Sequence, residues 1–231
     1  MNRDEGLRIL GESGWLSETP AEFRDSLLPL GNWHRIEEGA YITLSGEENE
    51  DLIGLASGYV AFTATHGLPE TPIMHMASAP FWMGYGPLLH GTKRVVNAQA
   101  RTTVWIASFP KSKVIPLIES RPGWWRPFMK LMATYGDLTA LIAADLLIKK
   151  SETRCAAVLL RFAGARLGTV TPNGPIRVPV SQEELAEASN LSRGSVVSIL
   201  RRFAASGLVD TSYRGIEIRD ASGLQELLQK I

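Results

Sequence analysis

The chain has 231 residues, with 24 Lys+Arg against 24 Asp+Glu, 45% hydrophobic residues and a single cysteine. That apolar content supports a folded core and, with zero net charge, excludes a disordered chain. Cys155 alone rules out an intramolecular disulfide and a cysteine-held iron–sulfur cluster, and no apolar run reaches the eighteen or so residues of a membrane span.

Met1-Asn2-Arg3-Asp4-Glu5 lacks the charged-then-apolar layout of a secretory signal, so the expected compartment is the cytoplasm. Neutral charge also speaks against a nucleic-acid partner at first sight. Divided at residue 150, the chain carries 14 basic and 16 acidic residues before and 10 and 8 after, an asymmetry too small to decide anything.

From Trp33 to Val114 short apolar stretches alternate with turn residues. Tyr41–Leu44 precedes Ser45-Gly46, and Leu52–Leu55 precedes Ser57-Gly58. Val60–Thr63, Ile73–Met76 and Val104–Ala107 follow. Short strands at roughly ten-residue spacing predict an antiparallel barrel or sandwich. Beyond Pro122-Gly123 the period changes. Phe128, Leu131, Tyr135, Leu138 and Ile142 form one helical stripe, and no proline interrupts Phe128 to Lys149. The stripe fits two roles, packing on the preceding barrel and a dimer seam, and one long helix has surface for both. Another helix is expected from Ser151 towards Gly164. The turn Pro172-Asn173-Gly174-Pro175 then separates two short strands, Thr169–Thr171 and Ile176–Val178.

Val180 to Asp220 is the most informative stretch. Ser181-Gln182-Glu183-Glu184 is a capping box opening a short helix, with Ala186 as a small crossing residue. Asn190 tolerates the left-handed conformation a tight turn needs, and Leu191 supplies an apolar plug. Ser192 caps a second helix that stops at Gly207. Val196, Leu200, Phe203 and Ala204 are expected on its inner face, leaving Arg193, Ser195, Ser198, Arg201 and Arg202 on or beside the outer one. Leu208–Thr211 and Ile216–Ile218 make a hairpin with Arg214 near its tip. The pattern is a winged helix-turn-helix.

Its chemistry suits DNA. Arg193 can donate twice to guanine O6 and N7. Ser192, Ser195 and Ser198 are short donors, and Ser181 and Gln182 sit where free helix N–H groups favour a phosphate. Arg201, Arg202 and Arg214 are candidate backbone contacts.

Val180–Ala186 through Asn190–Val196 resembles the recognition motif of the cyclic-AMP-receptor/FNR (Crp/Fnr) superfamily of bacterial transcription regulators. The resemblance implies an α+β fold over nearly the whole chain. Residues 1–114 would form a cyclic-nucleotide-binding-like β-roll (a double-stranded β-helix), with Gly39, Gly46 and Gly58 at its turns. Residues 115–150 would carry the dimerisation helix and 151–231 the winged helix-turn-helix. It further implies a homodimer joined through the helix at 124–149, a pseudo-palindromic double-stranded DNA site, RNA polymerase as a partner, and Arg193 as the guanine reader. Gly194 stands where the archetype has an acidic residue and Ser198 where it has a second arginine, so a different operator is expected.

The resemblance also points to an effector site at Gly84, Tyr85, Arg94 and Val95. Arg94 matches the phosphate-binding arginine. Val95 replaces the neighbouring hydroxyl, and Met83-Gly84-Tyr85-Gly86-Pro87 lacks the ribose-binding glutamate. Two of three binding groups are missing, which argues against cyclic AMP in the usual mode. His34, His66, His75 and His90 carry no diagnostic haem motif, and the true effector stays unknown. The rival readings are a β-barrel metal-dependent enzyme and an interaction protein that does not bind DNA. With no histidine cluster, Walker loop or nucleophile elbow, no enzyme activity is expected.

Overall fold

A computed structural model of the chain describes residues 1–64, 72–166, 174–212 and 215–229. Three short helices come first: α1 (Arg3–Glu12), α2 (Gly14–Ser17) and α3 (Ala21–Leu27). The strands are β1 (Asn32–Ile36), β2 (Tyr41–Thr43), β3 (Leu52–Ser57), β4 (Tyr59–Thr63), β5 (Ile73–Ser78) and β6 (Phe81–Met83). Helix α4 (Tyr85–His90) precedes β7 (Asn97–Ala100) and β8 (Val104–Phe109). Two four-stranded sheets result, ordered β1-β8-β3-β6 and β2-β7-β4-β5. All five stretches read from the sequence are strands; β1, β6 and β7 are additional.

Compact packing divides the chain into two units, Met1–His66 with Ser78–Leu138, and Gly67–Ala77 with Thr139–Ile231. In the first unit the core joins the sheets to the N-terminal helices. Leu10, Leu16, Phe23 and Leu27 are fully buried with Trp82, Phe109 and Phe128. Trp15 packs edge-on against Trp82 and donates its indole N–H to the Pro127 carbonyl at 2.7 Å. Tight turns set the strand register. Gly58 has φ +90°, and a Cβ there would lie 2.6 Å from Thr102 Oγ1 and 2.8 Å from the Thr103 carbonyl, so only glycine fits.

Helix α5 (Lys111–Glu119) follows β8 directly, and α6 (Trp125–Leu147) is the long helix. The expected stripe faces inward in this unit: Phe128 and Leu131 are buried, and Tyr135 packs against the same core. The Tyr135 hydroxyl donates to the Trp82 carbonyl at 2.5 Å and accepts from the Trp82 amide at 3.0 Å, closing the edge of β6. A second stripe on α6 runs Trp125, Met129, Met132, Gly136, Thr139, Ala143 and Leu146, spaced four and three residues apart. Its large side chains stay uncovered, with Met129 66% exposed.

The second unit contains α7 (Ser151–Phe162), β9 (Ile176–Val178), α8 (Gln182–Ala188), α9 (Arg193–Ala205), β10 (Val209–Ser212), β11 (Gly215–Ile218) and α10 (Ala221–Gln229). The strands form a sheet ordered β10-β11-β9, in which Ile216 pairs with Val178. The expected strand Thr169–Thr171 lies outside the described residues. Cys155, Val158, Leu159 and Phe162 of α7 fill this core together with Leu185, Val196, Leu200 and Phe203. No described helix is long and apolar enough to cross a membrane.

Candidate nucleic-acid interface

The local sequence builds the two-helix motif as its residue chemistry dictates. The Ser181 hydroxyl accepts from the Glu184 amide at 3.1 Å, and the Glu184 carboxylate accepts from the Ser181 amide at 2.8 Å. Asn190 has φ 50°, the one positive value at a described non-glycine residue, and it reverses the chain between α8 and α9. Ala186 is buried at the crossing, where a larger side chain would separate the helices. Ser192 then caps α9, accepting from the Ser195 amide at 3.1 Å, and Gly207 ends it with φ 72°.

On α9 the inner face is Val196, Ile199, Leu200 and Phe203. Ala204, expected there, is exposed: the helix end turns away from the core, and Ile199 takes the place instead. Ser192, Arg193, Ser195, Ser198, Arg201 and Arg202 are all exposed along one helix, while Ser181 and Gln182 are half-buried at the start of α8. Ser192 and Ser195 share a hydrogen bond at 2.8 Å between their hydroxyls. Arg202 donates to Ser198 Oγ at 3.1 Å, and its Nε lies 3.7 Å from Glu152 on α7. A Cβ added at Gly194 would meet open space.

The hairpin β10–β11 pairs Val209 with Ile218 and Ser212 with Gly215. Arg214, expected near its tip, lies outside the described residues. Arg219 bonds Asp210 and Glu217, both at 2.7 Å, so the two wing carboxylates are partly neutralised. Arg154, which the sequence did not single out, donates from α7 to the carbonyls of Ile148 and Asn190 at 3.0 and 3.3 Å. It ties the turn of the motif to the helix before it. Glu152 and Arg154 escaped sequence reasoning because neither lies within the motif; only tertiary packing brings α7 beside it.

Residues 153–227 match the family model described as the Crp-like helix-turn-helix domain. The C-terminal part of the chain therefore carries a helix-turn-helix domain of the Crp-like type. Solved structures share the fold of the whole chain. One is a Ruegeria pomeroyi protein described as a candidate cyclic nucleotide binding protein, 21% identical, covering 99% of both chains with a TM-score of 0.69. Another is a CRP-family transcriptional regulator from Thermus thermophilus, 23% identical, covering 85% of this chain and 96% of its own with a TM-score of 0.66. A third, from Xanthomonas campestris, is described as a c-di-GMP responsive global regulator; it is 17% identical and covers 87% of this chain and all of its own, at a TM-score of 0.62. No curated protein gives a significant match.

Of the expected effector residues, Gly84 and Arg94 lie against each other, while Tyr85 and Val95 face elsewhere. Arg94 is buried, and its Nη2 donates to the Asp51 carbonyl at 2.7 Å and to Asn49 Oδ1 at 3.3 Å. Burial lowers its pKa, while Asp51 and Glu47 pull the other way. Gly84 caps α4 with φ 90°, and a Cβ there would sit 2.4 Å from Arg94 Nη1, so the guanidinium packs over bare backbone. Tyr85 stacks on Tyr135 with ring centroids 5.2 Å apart, and Val95 points outward, 60% exposed. Trp82 is a core residue, and Trp105 stacks on Trp33 at 5.6 Å. Of the histidines, His34 contacts Ser108, His75 is buried, His90 is exposed and His66 lies outside the described residues. Among the described residues no group of three or more His, Cys, Asp or Glu is placed to hold a metal.

Proposed function

We propose that the chain is a dimeric, sequence-specific DNA-binding regulator of transcription, with α9 as its recognition helix. The observation that carries this reading is the N-terminal turn of α9. It is capped by Ser192, is exposed from Ser192 to Ser195, and presents Arg193 with no ion-pair partner among the described residues. An arginine at that point of a helix fits the major groove, where guanine offers two acceptors to its fork. Arg201 adds an exposed cation two turns on, suited to a phosphate.

The second stripe of α6 supports a homodimer, since its spacing of four and three residues is that of a two-helix seam. A two-fold dimer would place two α9 helices on a pseudo-palindromic site, and RNA polymerase would be the downstream partner in the cytoplasm. The roll acts as a sensor-like domain that does not take cyclic AMP in the usual manner. Arg94 is spent on Asp51 and Asn49, and neither Val95 nor the 84–87 segment supplies the missing hydroxyl and carboxylate.

The test is enrichment of genomic fragments by the full-length protein, followed by gel-shift on the recovered site. Arg193→Ala should lose about 1–3 kcal/mol of discrimination at one guanine. Full retention of sequence preference by that variant would remove Arg193 from the reading surface.

A further inference from the structure

Ser198 and Arg202 form a pair on the outer face of α9 that decides what Ser198 can say to a base. A serine hydroxyl has one proton to donate and two lone pairs to accept with, whereas a guanidinium only donates. Arg202 Nη1 donates to Ser198 Oγ at 3.1 Å, so the serine oxygen is used as an acceptor within the chain. Glu152, 3.7 Å from Arg202 Nε, draws the guanidinium back along the helix surface towards α7. A serine within a helix commonly turns its proton back onto the carbonyl four residues earlier. Thr134 makes that bond on α6, at 3.0 Å to Lys130, but among the described residues Ser198 makes no such bond. Its proton is therefore available to a partner outside the chain.

Gly194 removes the obstacle to such a partner. Residues 194 and 198 are i, i+4 neighbours on one helix face. The empty space where Gly194 would carry a Cβ lets another molecule reach a side chain as short as serine.

We propose that Ser198 reads one base pair of the half-site as a hydrogen-bond donor, and that Arg202, by occupying one of its two acceptor lone pairs, is the positioning residue that biases this polarity rather than a phosphate contact. The proposal rests on the DNA-binding reading above. A donor suits guanine O6 or N7, thymine O4 or adenine N7, and it opposes the amino group of cytosine. Ser198 lies five residues beyond Arg193, about 7.5 Å along the helix. That corresponds to roughly two base-pair steps of 3.4 Å.

Selection from a randomised duplex library, with the full-length wild type and the variants Arg193→Ala, Ser198→Ala, Arg202→Ala and Glu152→Gln, tests it. Ser198→Ala and Arg202→Ala should flatten preference at the same single position, by about three- to tenfold. That position should lie about two base pairs from the one lost in Arg193→Ala, and Glu152→Gln should show a weaker loss at the Ser198 position. The salt dependence of binding should be unchanged in Arg202→Ala. An unaltered profile for Ser198→Ala overturns the proposal. So does an unaltered profile for Arg202→Ala with a salt slope reduced by about one per protomer, the mark of a phosphate contact. Failure of the wild type to enrich any sequence overturns the DNA-binding reading itself, an outcome distinct from either.

Discussion

Asp145 and Arg161 meet as an ion pair 3.0 Å apart with side chains 0% and 1% exposed. Arg166 bonds the other carboxylate oxygen at 3.1 Å, and Arg161 also donates to the Met74 carbonyl at 2.8 Å. One aspartate on α6 therefore compensates two guanidinium groups and anchors α7. Burial lowers the Arg161 pKa, and the Asp145 charge and hydrogen bond oppose that shift. Asp145→Asn keeps the shape and removes the charge, leaving Arg161 buried without a counter-ion. The expected loss is about 3–5 kcal/mol in urea unfolding. Asp145→Leu with Arg161→Met should lose less than Asp145→Asn, because the pair is removed together. A loss below about 1 kcal/mol for Asp145→Asn would show the pair to be dispensable.

His75, on β5 beside Arg161, has its pKa pushed down to about 3, first by burial and then by the Arg161 charge. The unfolded chain protonates it near 6.5. The folded pKa is the lower one, so the unfolded state binds the extra proton in between. Stability from this residue is complete above about pH 6.5 and is lost as pH falls towards 3, at no more than about 1.4 kcal/mol per pH unit. The stability of His75→Gln should fall less steeply than that of the wild type across this window. Parallel pH profiles for the two proteins would count against a neutral buried His75.

Asn190 holds the turn between α8 and α9 in a left-handed conformation, and Arg154 bonds its carbonyl. Asn190→Gly should be close to neutral, since glycine adopts that backbone freely. Asn190→Val should cost about 1–2 kcal/mol in thermal or chemical unfolding and weaken any DNA binding with it. Equal stability of the two variants would mean the turn relaxes to another conformation.

The helix-turn-helix was legible because each boundary is written in local chemistry: the Ser181–Glu184 box, Asn190, Ser192 and Gly207 each act within a few residues of themselves. The five strands were legible for the same reason, through turn glycines such as Gly58. The N-terminal helices were not, because Leu10, Leu16 and Phe23 find their partners in Trp82 and Phe128, far along the chain. The stripe from Phe128 to Ile142 left two roles open, since periodicity locates an apolar face and not what covers it. Arg94 shows the same limit at the candidate effector site. Its position matched a binding arginine, while its bonds to Asp51 and Asn49 depend on a turn no motif describes.

The stripe of α6 from Trp125 to Leu146 carries the last prediction. Phe128 and Leu131 turn into the core beside it, while Trp125, Met129, Met132 and Leu146 stay exposed. Gly136, midway along, leaves room for close approach of a second helix. Met129→Glu puts a carboxylate at the most exposed methionine of the stripe, and a two-fold axis would bring two of them together. The expected outcome is a monomer in sedimentation at micromolar concentration, with affinity for a palindromic site reduced far more than affinity for an isolated half-site. Ala144→Glu, exposed on a different face of the same helix, should leave the dimer intact. An undisturbed dimer in Met129→Glu would move the seam off this stripe, whereas dissociation in both variants would point to a general loss of α6 structure.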